Sequence, residues 1–544
     1  MVLAAVPVAQ SESPLFSELA SRSLQSRSDM LNVDTGKWHF RYLYKDARML
    51  VIISDLHLSD GTTGPSVHPG AFELFGERLS DLAMRASWRS DGQYRPIDRI
   101  DLVLLGDSLD LIRSHRWLDT DVRPWHDAQS PYMVETVADI VNGILQTNHA
   151  GLSVLRSLAA EGAIRVAPAS QQGPVYDHQG QPVPVRIHYM VGNHDWMLHL
   201  PGTNYDLIRQ KVAHHMGRAN RHDAPFAHDP IENDELLEAL RRHRVFARHG
   251  DIFDPLNFAE DRDSSSLGDA IVVELITRFA REVQQQLGDD LPVAAMAGLR
   301  ELDNIRPILL VPVWIDGLLE RTCPSPAVRK AVKRIWDELA DQFLALDMVR
   351  DRDTWSPFDL VDGLEGALKF SKRLSLGWAT KINAWMHGLR GGENSSYYKH
   401  ALSEQDFRNR RARHIVYGHT HVAESIPLDA SYADGYVLNQ VYFNSGTWRR
   451  LHRQTQLAPS EHEFIVADSM SYLSFFHGDE RSGRPFETWS GQLGITSDVS
   501  VHRVDKGQTS HAAQQPVPAP NVPIRAPHFA TPTGAPRVTP VRQL

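Results

Sequence analysis

Residues 49–57 read Met49-Leu-Val-Ile-Ile-Ser-Asp55-Leu-His57: five apolar residues, then a turn carrying a carboxylate and an imidazole two positions apart. A short apolar run closed by a turn is the pattern of a buried strand. The pattern recurs. Leu102–Leu105 (LVLL) runs into Gly106-Asp107-Ser-Leu-Asp110, and Ile187–Val191 (IHYMV) into Gly192-Asn193-His194-Asp195. Val245–Ala247 runs into Arg248-His249-Gly250-Asp251, and Ile415–Tyr417 (IVY) into Gly418-His419-Thr-His421. Further strands are predicted at Tyr436–Phe443 and, last in the core, Tyr472–Phe476. Helical spacing over 132–145, 151–161 and 204–215 separates the early strands. Alternating strands and helices predict an α/β layered fold. In such folds sites form at the carboxyl ends of strands, where these polar blocks lie.

Composition narrows the class. Of 544 residues, 42% are apolar and 23% charged, an ordinary globular balance. The net charge of −10 gives no global basic footprint, so nucleic acid is a disfavoured partner. The single cysteine, Cys323, excludes an intrachain disulfide and a cysteine-based zinc site. Any metal falls to Asp, Glu, Asn and the 27 histidines. The N-terminus, MVLAAVPVAQSESP, lacks a basic segment and a long apolar stretch, unlike a secretory signal. No run reaches the ~18 apolar residues of a membrane span; the longest candidate is Pro307–Ile315. The expectation is a soluble, cytoplasmic protein.

The chain divides by pattern. Residues 1–45 form an N-terminal arm, expected to be partly disordered, and 46–261 the first part of the core. Residues 262–410 are a mostly helical insertion, with helices predicted over 267–287, 327–346 and 374–389, either capping the site or packing on a sheet face. The core resumes over 411–480, and 481–544 is a C-terminal extension. From His511 it carries eight prolines and no acids in 34 residues, the composition of a disordered polyproline-like tail and a candidate docking element for a protein partner.

The polar blocks carry chemistry. Residues i and i+2 of an extended strand end share a side, so Asp55 with His57, and His419 with His421, can each meet a common ion. Carboxylate, imidazole and amide donors suit borderline divalent metals. Gly106, Gly192 and Gly418 let the backbone turn where these groups converge.

The order and spacing of the five blocks resemble the calcineurin-like metallophosphoesterase superfamily, over roughly residues 48–260 and 412–450. The resemblance implies a four-layer αββα sandwich and two divalent ions, manganese foremost, with Fe, Zn, Ni or Mg compatible. It assigns Asp55, His57, Asp107 and His421 to the first ion. Asp107 bridges to the second, which Asn193, His249 and His419 complete. It implies hydrolysis of a phosphomonoester, phosphodiester or pyrophosphate by a metal-bridging hydroxide. Two divalent ions, two carboxylates and a hydroxide sum to one positive charge, which attracts phosphate. The resemblance places His194 beside the scissile bond, where it would contact phosphate with Asn193 and protonate the leaving oxygen; Asp195 is expected to orient its ring. Asp110 fits a place behind a ligand histidine.

Other residues follow the same reading. Arg113 is a candidate phosphate contact and His199 a similar one, each weighed against a solvated loop. Asp251 and Asp254 read as turn and capping groups. The stretch Asn444–Trp448 (NSGTW) reads as support under the histidines, with Trp448 in the core. The phrase Ser54–Ser59 (SDLHLS) also resembles the UDP-2,3-diacylglucosamine pyrophosphohydrolase branch. That branch carries arginine where this chain has His194 and is much shorter, so its substrate is not carried over. The alternative function is a metal-stabilised scaffold that recruits partners through the Pro-rich tail.

Overall fold

The computed structural model describes residues 47–492, except 177–179, 218–222, 259, 307, 353–360, 362–363, 367, 369–395, 434–435 and 455–463. All described residues belong to one compact unit, Met1–Gly494. The expected N-terminal arm, the helix predicted over 374–389 and the Pro-rich tail lie outside the described residues. Among the described residues no helix is long and apolar enough to cross a membrane.

The strands of two main sheets are β1 (Arg48–Ile53), β2 (Arg99–Leu105), β3 (Val185–Met190), β4 (Val245–Ala247), β5 (Ile305–Arg306), β6 (His414–Tyr417), β7 (Glu424–Ala433), β8 (Tyr436–Asn444), β9 (Arg450–Gln454), β10 (Phe464–Phe476) and β11 (Phe486–Gln492). The larger sheet runs β3-β2-β1-β10-β9-β5, with β11 on β10; the smaller runs β7-β8-β6-β4. Strands β1, β2 and β3 are parallel, as are β4, β6 and β8. Registers such as Ile53↔Leu104, Leu105↔Met190 and Ala247↔Val416 bring the strand ends that precede the five polar blocks into line. The fold is thus mixed α/β with mixed sheets.

Alternate residues on β1 explain its unbroken apolar run. Leu50 and Ile52 join Val103, Leu105, Val245, Ala247, Val416 and Phe443 in a cluster shared by the two sheets. Met49, Val51 and Ile53 face the other way, into a cluster with helices. A strand buried on both faces has no polar alternation, and each buried aliphatic side chain contributes about 1.5–3 kcal/mol. The helices of that second cluster are α1 (Pro69–Ala86), α2 (Pro131–Thr147), α3 (His149–Ala160) and α4 (Thr203–Met216). In α2, Ser130 caps the first turn by accepting from Met133 N, proline follows, and Met133, Val137, Ile140, Val141 and Ile144 form the buried stripe. The outer face of the smaller sheet places Ile415, Tyr417 and Tyr442 against Tyr397 and Ala401.

The described residues of 262–410 are largely helical and build an apolar cluster around Phe279, Trp314, Trp336 and Phe343. They depart from a purely helical insertion at β5, which pairs in parallel with β9 (His452↔Ile305). Two residues between Asn304 and Pro307 carry no periodicity to read. Strands β7, β9 and β11 also lack a predicted counterpart, and the core extends past residue 480. β11 (FETWSGQ) is half exposed along its length and shows no apolar run.

Candidate metal centre

Strands β1 and β6 end at Ile53 and Tyr417, before the donors begin. Strand alternation therefore does not aim Asp55, His57, His419 and His421. Left-handed backbone does: φ is 53° at Asp55, 45° at His57, 49° at Asp107, 66° at His419 and 63° at His421. Each such non-glycine residue costs on the order of 1–3 kcal/mol and persists only where its surroundings over-determine it. Here they do. Asp55 N donates to Gly106 O (3.1 Å) and His57 N to Asp107 O (2.8 Å). Thr447 Oγ1 donates to Asp55 O (2.7 Å), and Asn444 Nδ2 to Gly418 O (2.7 Å). The NSGTW stretch is thus the support the sequence suggested, and Trp448 packs on Phe72 and Phe75 in the core.

Two groups of donors converge that could each hold a metal ion: Asp55, His57 and His421, and Asp107, His249 and His419. In the first, His57 Nε2 and His421 Nε2 stand 3.0 Å apart, with His421 Nε2 3.3 Å from Asp55 Oδ1. Asp107 Oδ2 lies between the groups, 3.6 Å from His57 Nε2 and 3.1 Å from His249 Nε2. Asn193 Oδ1 is 3.0 Å from His419 Nδ1. Tetrahedral donors about 2.0–2.1 Å from one ion stand about 3.3 Å from each other, so these separations fit metal ligands without rearrangement.

Tautomers sharpen the fit. His249 Nδ1 donates to Leu105 O (2.9 Å), and its buried Nε2 faces Asp107 Oδ2 at 3.1 Å. Either a proton or a metal ion on that nitrogen answers the carboxylate. Burial opposes charge on His249, yet Asp107 outweighs it and the ring is pushed up to about 10. His57 Nδ1 faces Asp110 Oδ2 at 3.1 Å, so its Nε2 presents a lone pair, and burial followed by His194 lowers its pKa. His421 differs. Arg306, from the insertion, donates to its Nδ1 (3.0 Å), so the ring proton sits on Nε2 and must transfer before Nε2 can bind an ion.

His194 is brought to the same pocket, its ring 4.6 Å from that of His57. Its side chain is 12% exposed, more than that of any donor above. Asp195 is not the group that orients it. The Asp195 carboxylate is fully buried and accepts from Gly192 N (2.6 Å), Ser108 N (2.9 Å) and Tyr189 Oη (2.6 Å), tying the second and third motif turns together. Burial and then Asp107 push its pKa up to about 6. The orienting group is Asp110, whose Oδ1 meets His194 Nδ1 at 2.8 Å while Oδ2 meets His57. Four backbone amides within reach, of Asp107, Ser108, Leu109 and Gly192, outcompete the neighbouring ring for Asp195. Arg113 is 5% exposed and committed to Asp303 Oδ2 (3.2 Å) and Thr63 Oγ1 (3.1 Å), so its guanidinium is a strut between core and insertion.

No protein-family model and no curated protein matches this chain. The case for a site therefore rests on the donors themselves.

Several contributors escaped the sequence reading. Asp254 does more than shape a turn: its Oδ2 stands 3.3 Å from His419 Nε2, behind the donor nitrogen. Asp303 and Arg306 reach the centre from the insertion, where nothing in the local pattern marks them. Asp110 carries a direct expectation. Carboxylates that fix metal-binding histidines are worth about 10–100-fold in metal affinity or activity. Because Asp110 fixes two rings, Asp110→Asn is expected to weaken manganese affinity toward the upper end of that range, measured by titration of the metal-free protein. Unchanged affinity would separate Asp110 from the centre.

Proposed function

We propose that this chain hydrolyses phosphoester bonds at a pair of divalent ions, manganese foremost, and that its two sheets and outer helices are the four-layer αββα sandwich of the calcineurin-like metallophosphoesterases. The observation that carries the reading is the convergence of two donor groups on opposite sides of Asp107. Such a pair supplies, when bound, a hydroxide near neutral pH and a clamp on the phosphoryl oxygens. The chain's own residues do the rest. Asn193 and His194 line the mouth and orient the phosphate. Asp110 holds His194 by Nδ1, which leaves Nε2 to protonate the departing oxygen. Burial opposes the charge on that ring, but Asp110 and then Asp107 push its pKa up to about 10. A proton donor is thereby kept loaded at neutral pH; cations held by the neighbouring donors would lower that value toward the range of efficient transfer.

The test is hydrolysis of p-nitrophenyl phosphate and bis-p-nitrophenyl phosphate with added manganese. Turnover is expected, with loss on chelation and recovery on readdition. His194→Ala is expected to lower it about 10²–10⁴-fold, the usual weight of a general acid. Equal background rates for wild type and variant would overturn the reading.

A further inference from the structure

We infer that His199, His228 and Asp263 form a third divalent-cation site, sharing no residue with the two donor groups around Asp107. His199 closes the short turn after the third motif block. His228 follows Ala227, which bridges to Met190 at the end of β3. Asp263 lies at the root of the insertion, four residues before its first helix at Leu267. One carboxylate oxygen, Asp263 Oδ1, faces both rings, 2.7 Å from His199 Nδ1 and 3.0 Å from His228 Nε2. The rings lean on each other with centroids 4.3 Å apart. Spreading these donors to the ~3.3 Å separation of tetrahedral ligands takes only a few tenths of an ångström.

Two further observations fix the rings in place. Glu232 Oε2 stands 3.5 Å from the other nitrogen of His199, Nε2, and also accepts from His228 N at 2.8 Å. A carboxylate behind the far nitrogen fixes the tautomer of a metal-binding histidine. Among the described residues the Nδ1 of His228, a residue 4% exposed, has no hydrogen-bond partner, so Nε2, aimed at Asp263, is the ring's point of attachment. Asp263 and Glu232 set two carboxylates against the two imidazoles, and a divalent ion would take the place of the proton that His199 shares with them. His199 and Asp263 remain 23% and 34% exposed, which leaves open positions for water. Two imidazoles and a carboxylate suit zinc or ferrous iron. The ion would fasten the root of the insertion to the core beside β3.

The experiment is equilibrium dialysis of the full chain against zinc, with metal analysis. Asp263→Asn and His199→Gln are each expected to hold one ion fewer per chain than wild type. Both side chains are partly exposed, and circular dichroism checks that the variants fold. The readout is a difference, so it stands even where the dinuclear centre binds nothing; Asp107→Asn tests that centre separately. Cobalt(II) gives a second readout, an equivalent with visible absorption in wild type that neither variant shows. Equal zinc content in wild type and both variants, with unchanged cobalt spectra, would mean that the cluster is a hydrogen-bonded ion group alone and would overturn the site.

Discussion

Asp107→Asn is expected to lower phosphoester turnover by about 10³-fold or more while leaving the fold intact. Several kilocalories of transition-state charge stabilisation rest on a metal pair, and about 1.4 kcal/mol is a factor of ten in rate. The Asp107 carboxylate faces a ring from each half of the centre. Asp107 Oδ2 faces His57 Nε2 and His249 Nε2, and Oδ1 accepts the amide of His194 at 2.8 Å. An amide keeps the shape and discards the charge that both imidazoles answer. Removing that charge also removes what holds His249 protonated, so the ring's pKa should fall from about 10, readable by NMR without any metal. The decisive measurement is kcat/KM beside bound manganese. Full turnover with full metal content would end the proposed reading.

The second large effect is expected at Gly192. A Cβ built there would overlap Asp107 Oδ1 and come within 2.6 Å of His249 Cδ2 and 2.7 Å of Nε2. Neither neighbour can yield, since Asp107 Oδ1 is held by His194 N and His249 Nδ1 by Leu105 O. Overpacking of this kind costs about 1–3 kcal/mol in stability. The larger loss is functional, because relief pushes apart two donors that must meet. Gly192→Ala is expected to lower turnover at least ~10²-fold, since an ångström of misplacement can cost that much. Gly76→Ala is the matched control. Its Cβ would meet only Val154 and Leu158 at 3.8 and 3.9 Å, and helix α1 should gain stability of about 0.5–1 kcal/mol. Calorimetry and steady-state kinetics on the pair separate backbone crowding at the centre from glycine replacement in general.

The strands that position the centre were legible because both faces of β1, β2 and β3 are buried, which writes short apolar runs into the sequence, interrupted in β2 and β3 by the mutually bonded Asp101 and His188. The donors were legible because each sits one to four residues past such a run. Strand alternation does not supply their aim: Asp55, His57, His419 and His421 converge through left-handed turns that no local pattern announces. Asp110 keeps its expected place behind a ligand histidine, His57, and for a similar cause also takes the one expected of Asp195. Which of two nearby carboxylates meets a ring depends on where backbone amides point, and those come from Gly192, Asp107, Ser108 and Leu109. Arg306 and Asp303 were invisible because their importance comes from β5 pairing with β9, a contact between distant segments.

Strand β1 is flanked by β2 on one side and β10 on the other, and Met49 pairs with Phe476. The neighbour on that second side is thus synthesised late, after the whole insertion. Pairings across such separations fold slowly, and an open sheet edge invites association in the meantime. During translation, Asp55 and His57 must wait for His421 to emerge from the ribosome before their donor group exists. A chain arrested within the insertion would carry an unsealed apolar edge and half a pocket, a natural client for chaperones and proteases.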